Sequence, residues 1–150
     1  MGPNFRVLIA EDDDDYGLLV QAALQASGWT SPVHRVSDGA AAIAYLKGEG
    51  PYENRTTYPL PCAVFLDVKM PGTTGLDVLQ WIKEHPASGV FPALILTSSD
   101  EQRDIQRAYA LGAHGYFIKP PNYADLKSML HSAHEFSACC AKPAPRPAPL

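Results

Sequence analysis

The stretch that decides the fold is CAVFLDVKMPGTTG, residues 62–75. An uninterrupted apolar run, Ala63 to Leu66, ends in Asp67 and passes at once into a loop marked by Pro71, Gly72 and Gly75. A run of that length between breakers reads as a buried strand, although periodicity alone leaves a helix segment open. A carboxylate at the carboxyl end of such a strand stands where open α/β sheets place ligands and catalytic groups. What Asp67 does depends on what the other strands bring to the same edge.

Upstream, residues 5–10 (FRVLIA) read as a first strand, β1, that runs directly into Glu11, Asp12, Asp13, Asp14 and Asp15. Leu18, Leu19, Ala22, Ala23 and Ala26 then recur at helical spacing and define α1, which stops at Gly28. Asp13 or Asp14 suits its cap, because a carboxylate accepts the orphan N–H groups of a first turn. Residues 32–37 give a modest β2. Asp38 then caps α2, carried by Ala40, Ile43, Ala44 and Leu46. Residues 47–61 (KGEGPYENRTTYPLP) have no apolar period and read as a long loop, a binding surface or a family-specific insertion. The opening stretch is β3.

Downstream, α3 starts near Gly75, turns Leu76, Leu79 and Ile82 inward and ends before Pro86. Residues 92–97 (PALILT) are β4. Ser98, Ser99 and Asp100 offer caps for α4, which carries Ile105, Ala108 and Tyr109 to a stop at Gly112. Residues 115–118 form a short β5 that ends in Lys119. Helix α5 begins around Asn122 or Tyr123 and buries Leu126 with Met129 or Leu130.

Strand and helix thus alternate five times. Strands without polar alternation belong to a sheet covered on both faces, so the class is α/β. Right-handed crossovers place every strand-to-helix junction at one sheet edge. Glu11, Asp12, Asp67, Thr97 and Lys119, scattered in sequence, are therefore expected to meet. Clustered carboxylates repel one another unless a cation is present, and an all-oxygen donor set favours magnesium, with manganese as the alternative. Such a pocket suits a transient phosphoryl group on Asp67: the metal and Lys119 neutralise its oxygens, and Thr97 donates a hydrogen bond.

Competing chemistries fail on spacing. A dinucleotide site would want GxGxxG after β1, where this chain has EDDDD, and there is no GxxxxGK[ST]. A calcium loop counted from Asp12 would need Glu at its twelfth position, which is Ala23. His131 and His134 precede Cys139 and Cys140, but adjacent cysteines do not match a closed zinc site. A metal-dependent phosphatase with an aspartyl nucleophile is the enzymatic rival. It would place a second acid two residues after the nucleophile to protonate the leaving group, and that residue is Lys69.

In these motifs the chain resembles the receiver domain of bacterial two-component response regulators, over about residues 5–133. The matching features are the acidic pair in LIAEDD, LDVKMPGTTG with Asp67 as phosphoacceptor, LTSS with Thr97, and GYFIKP with Tyr116 and Lys119. The resemblance implies a flavodoxin-like sandwich whose parallel sheet has the order 2-1-3-4-5. It implies phosphotransfer from a sensor histidine kinase, magnesium dependence and slow self-catalysed hydrolysis. It further implies Glu11, Asp12, Asp67 and the backbone carbonyl of Lys69 as metal ligands, and a cis Lys119–Pro120 bond. In the family's switch, Thr97 moves toward the phosphoryl group, Tyr116 turns inward, and the face formed by α4, β5 and α5 changes. The long loop, ILTSSDEQRDI and YALGAHGYFIKP narrow the resemblance to single-domain regulators that partner bacterial phytochromes or similar kinases. Pro121, where an aromatic residue is common, and Lys69 at the rim depart from the pattern. A degenerate receiver that only binds partners is the other alternative.

Composition bounds the partners. The chain has 150 residues, 46% hydrophobic and 19% charged, with a net charge of −4. One domain at residues 1–137 and a disordered or extended proline-rich tail at residues 138–150 are expected. Mild acidity argues against nucleic acid, and no apolar run approaches the roughly 20 residues that span a bilayer. Three cysteines, two of them adjacent, make a poor disulfide framework, so a cytoplasmic location is expected. The resemblance, rather than the composition, makes a homodimer through the α4–β5–α5 face one open assembly, to which Tyr109 and Tyr123 would contribute; the oligomeric state is left open by the sequence.

Overall fold

A computed structural model describes residues 6–29, 32–86 and 91–139, with no account of the side chains after residue 135. Five strands, β1 (Arg6–Ala10), β2 (Val33–Val36), β3 (Pro61–Leu66), β4 (Ala93–Thr97) and β5 (Gly115–Ile118), form one sheet in the order β2-β1-β3-β4-β5. Every pairing is parallel. The connections are α1 (Asp14–Ala26), α2 (Gly39–Lys47), α3 (Gly75–Glu84) and α4 (Gln102–Ala110), and α5 (Tyr123–Cys139) closes the fold. This is the expected flavodoxin-like α/β sandwich. The strand order reverses between β1 and β3, the switch point where such sheets open a crevice at their carboxyl ends.

Alternation along each strand divides the core into two layers. On β1, Leu8 and Ala10 pack with Val64, Leu66, Leu79 and Ala108 toward α2, α3 and α4. Val7 and Ile9 pack with Ala63, Phe65, Leu126 and Leu130 toward α1 and α5. Cys62 packs half-buried against that second layer.

Three readings are corrected. The buried face of α1 is Gly17, Val20, Ala23 and Leu24, whereas Leu18 and Leu19 are 65% and 44% exposed. The apolar count around α1 fits two faces, and Gly17, uncounted as apolar, marks the one that closes on the sheet. Helix α4 starts from Glu101 without a side-chain cap, because Ser98, Ser99 and Asp100 all precede the cap position; the Ser99 hydroxyl accepts the Glu101 N–H and donates to Asp104. None of the peptide bonds among the described residues is cis, Lys119–Pro120 included. Trans is the lower-energy X–Pro form by about 0.5–1 kcal/mol. The proline-rich segment from residue 140 onward lies outside the described residues.

The long loop has more structure than its sequence suggests. It contains a 3-10 turn, Gly50–Tyr52. The Arg55 guanidinium donates to the carbonyls of Tyr45 (2.8 Å), Leu46 (2.7 Å) and Tyr58 (3.1 Å). It thereby satisfies end carbonyls of α2, which Gly48 terminates in the left-handed conformation at φ 73°. Tyr45, Tyr52 and Tyr58 pack edge-on and tilted around His34 of β2. Arg55→Ala should cost about 1–3 kcal/mol of unfolding free energy, because the bonds of a charged donor are lost. Denaturant unfolding should show that loss, and amide exchange should accelerate at residues 48–60.

Candidate functional site

The site is assembled from the carboxyl ends of β1, β3, β4 and β5. Strand β3 delivers Asp67, which is 4% exposed and whose N–H donates to the Ala10 carbonyl across the switch point. Its oxygens are divided between partners. Oδ1 accepts from the Thr97 hydroxyl (2.7 Å) and the Lys69 N–H (3.0 Å), and Oδ2 accepts from Lys119 Nζ (2.8 Å). Lys119 Nζ is also 2.8 Å from Glu11 Oε2. Glu11 is as deeply buried as Asp67, and Thr97 is fully buried. Asp12 faces solvent beside them.

Carboxylate oxygens of Glu11, Asp12 and Asp67 all lie within 4.8 Å of one another. Three hard oxygen donors converging at a solvent-open edge fit a divalent cation of the magnesium or manganese type, with room for waters. Asp13 does not join them. It caps α1 by accepting from the Tyr16 N–H, and its own N–H donates to Glu11 Oε1.

The charges in the pocket respond to one another. Burial raises the pKa of Glu11 above the ordinary 4.5, and the neighbouring Asp67 charge raises it further; the hydrogen bond from Lys119 opposes both. Burial alone would lower Lys119, but its hydrogen bonds to Asp67 and Glu11 and their charges prevail and raise it. The ammonium is therefore held charged between two carboxylates that would otherwise repel.

Sequence reasoning brought together Glu11, Asp12, Asp67, Thr97 and Lys119, and the structure places them together. Lys69 lies at the rim with an exposed side chain and its N–H on Asp67. Tyr116 is half-buried, and its hydroxyl donates to the Ser99 carbonyl (2.9 Å). Three contributors escaped the sequence. The ring of Tyr16 lies 4.5 Å below Lys119 Nζ, a cation–π contact. Ser99 joins its N–H to the Thr97 hydroxyl and its own hydroxyl to Asp104. Arg35 of β2 grips the acidic loop. A tyrosine in a first turn has no signal of its own. Arg35 likewise read only as part of a weak strand.

Gly75 explains the close join of β3 to α3. A Cβ there would fall against the Asp67 carbonyl, far inside van der Waals contact. Gly72, at φ 71°, serves the turn, as expected of it.

Comparison with known proteins places this geometry. Residues 7–131 match the response regulator receiver domain. The chain is 32% identical to the probable methanogenesis regulatory protein FilR2 of Methanothrix harundinacea over 133 residues, 88% of this chain and 83% of that one. It is 33% identical to response regulator Rcp1 of Synechocystis over 130 residues, 87% of this chain and 86% of that one. Among solved structures, the phosphorylated cyanobacterial phytochrome response regulator RcpA superposes with a TM-score of 0.83 at 30% identity. That match covers 93% of this chain and 99% of RcpA. The Mn(2+)-bound form of Rcp1 superposes with a TM-score of 0.81 at 32% identity and the same two coverages.

The chain belongs to the response regulator receiver domain family. It is a phosphoaccepting regulator homologous to phytochrome-associated ones, with an acidic triad for a divalent metal and slow self-dephosphorylation in place of conventional turnover.

Two outcomes follow from the geometry. Metal binding needs Glu11 deprotonated. Because its pKa is raised, Mg2+ affinity should begin to fall at a higher pH on acidification than an ordinary glutamate at 4.5 would dictate. Calorimetric titration of Mg2+ at successively lower pH should show this fall, with proton release on binding. Gly75→Ala should displace the end of β3, and about tenfold slower phosphorylation is expected, since small misplacements at a reacting centre cost about that much or more. Phosphorylation kinetics with a small-molecule donor would measure it.

Proposed function

We propose that Asp67 accepts a phosphoryl group from the phosphohistidine of a sensor kinase, one coupled to a phytochrome-type receptor. The observation that carries the reading is the set of contacts on its carboxylate: Thr97 on one oxygen, Lys119 on the other, and Glu11 and Asp12 within metal-sharing distance. An Asp67 oxygen attacks phosphorus, the P–N bond breaks, and its electron pair returns to the imidazole nitrogen, which takes a proton. The product is an acyl phosphate on Asp67. Lys119 moves its hydrogen bond from the carboxylate to a phosphoryl oxygen, and the Thr97 hydroxyl does the same. A bound Mg2+, or Mn2+, held by Glu11, Asp12, Asp67 and the Lys69 carbonyl would supply charge neutralisation at the same oxygens. The pocket has no acid at residue 69 to protonate a leaving group, in keeping with a site that holds phosphate.

Output runs through Thr97 and Tyr116. The Thr97 hydroxyl accepts the Ser99 N–H, and the Ser99 carbonyl accepts the Tyr116 hydroxyl, so a pull on Thr97 reaches β5 and the start of α4. Tyr109, Ile118 and Tyr123 are exposed on the α4–β5–α5 face and suit it for pairing with a second copy. We assign residues 1–137 to the receiver and 138–150 to a tail, and place the protein in the cytoplasm beside its kinase. Among the described residues no helix is long and apolar enough to cross a membrane.

Incubation with a small phosphodonor and Mg2+, followed by intact mass measurement, should add one phosphoryl group to the parent and none to Asp67→Asn. Repeated turnover of small phosphomonoesters would favour a phosphatase. No adduct with any donor, kinase included, would leave only a binding module.

A further inference from the structure

We infer that Arg35 is a positioning residue for the metal-binding acids, acting through the main chain of the β1–α1 loop. The inference rests on the reading of Glu11 and Asp12 as metal ligands. Arg35 belongs to β2, which carries none of the groups on Asp67. It pairs with Ile9 in the sheet, and its side chain crosses the end of β1. Nε (2.9 Å) and Nη2 (2.7 Å) both donate to the carbonyl oxygen of Glu11, and Nη1 lies 2.8 Å from Asp14 Oδ1. Its three guanidinium nitrogens are thus spent on the loop carbonyl and on the first residue of α1.

The carbonyl it grips belongs to the peptide joining Glu11 to Asp12, the two neighbouring carboxylates of the triad. The Glu11 N–H is fixed separately, donating to the Val36 carbonyl at 3.1 Å. With both sides of Glu11 tied to β2, the main chain carrying the two acids has little freedom to spread under their mutual repulsion. The guanidinium suits this task because its planar fork is pre-organised, and a lysine in its place could make only part of the contact. Arg35 is the better shielded end of its ion pair, 17% exposed against 84% for Asp14, so the carbonyl contacts form its anchored part.

Gly17 on α1 makes room for the clamp. A Cβ there would stand 2.5 Å from Arg35 Nε and 2.6 Å from its Cδ. Glycine inside a helix is ordinarily unfavourable. Here it leaves the channel through which the guanidinium reaches the loop, which accounts for a glycine on the buried face of α1.

Charge and positioning make opposite predictions, which separates them. As a bare positive charge near the acids, Arg35 would weaken cation binding, and its removal would tighten Mg2+. As a clamp, its removal weakens Mg2+. Isothermal titration of Mg2+ into the full chain is expected to show about tenfold weaker binding in Arg35→Met, by analogy with other outer-sphere partners of metal sites. Arg35→Lys should recover part of it. Gly17→Ala, which leaves every charge in place and favours the helix, should weaken Mg2+ in the same direction. Without any metal, amide exchange at Asp12 and Asp13 should accelerate in Arg35→Met and Gly17→Ala, a readout that does not depend on the metal. Tighter or unchanged Mg2+ binding in Arg35→Met and Gly17→Ala overturns the clamp. A parent chain that binds no Mg2+ while its loop amides still respond to the substitutions overturns the metal reading instead.

Discussion

One ammonium group between two buried carboxylates holds the site together. Lys119 Nζ sits 2.8 Å from both Glu11 and Asp67, and without a cation those two acids at one sheet edge would repel. The strand order sets the reach this requires. Strand β5 is separated from β3 by β4, so about 10 Å of sheet, at roughly 4.8 Å per strand, lies between their axes. Lysine, with a flexible four-carbon stem, can cover that gap with its charge. The ring of Tyr16 supports the ammonium from the α1 side. A lysine at this strand end is therefore tied to the order β2-β1-β3-β4-β5 as closely as to the chemistry.

The same crowding explains the small residues around Asp67. Helix α3 begins so close to the end of β3 that only glycine fits at residue 75. The Thr74 hydroxyl accepts the Asp77 N–H while the Asp77 carboxylate accepts the Thr74 N–H, a reciprocal cap that fixes where the helix starts. The loop carrying Lys69 and Gly72 is left between two anchored ends, with the Lys69 N–H aimed back at Asp67. Rigid strand and helix ends thus hold an otherwise irregular segment against the acceptor.

Much of this was legible in the sequence, for a physical reason. The β3 and β4 runs are buried on both sides, so they lack polar alternation, and the residue after each run falls at the sheet edge by topology alone. That logic locates Asp67 and Thr97, and the short β5 run brings Lys119 to the same edge. It said little about contacts that run sideways between elements. Arg35 lies on the weakest strand, and its clamp depends on a glycine one helix away. The face of α1 was misjudged because Leu18 and Leu19 count as apolar wherever they point, whereas Gly17 counts for nothing. The aromatic cluster under the long loop was invisible for a related reason: Tyr45, Tyr52, Tyr58 and His34 share no period and meet only once the loop folds back.

In the proposed switch, the route from the site to the α4–β5–α5 face turns on a single proton. The Thr97 hydroxyl has one hydrogen, which it donates to Asp67 Oδ1, while its oxygen accepts the Ser99 N–H at 3.3 Å, a long bond. A new negatively charged oxygen beyond Oδ1 competes for that hydrogen and draws Thr97 with it. The Ser99 N–H then either follows or loses its acceptor. Ser99 cannot follow freely, because its carbonyl holds the Tyr116 hydroxyl and its own hydroxyl holds Asp104 on α4 at 2.6 Å. A buried donor left without a partner costs about 1–3 kcal/mol, comparable to the free-energy gap between alternative states of a two-state element. In that proposal, the loop between β4 and α4 is where a charge on Asp67 would be converted into a different arrangement of Tyr116 and α4.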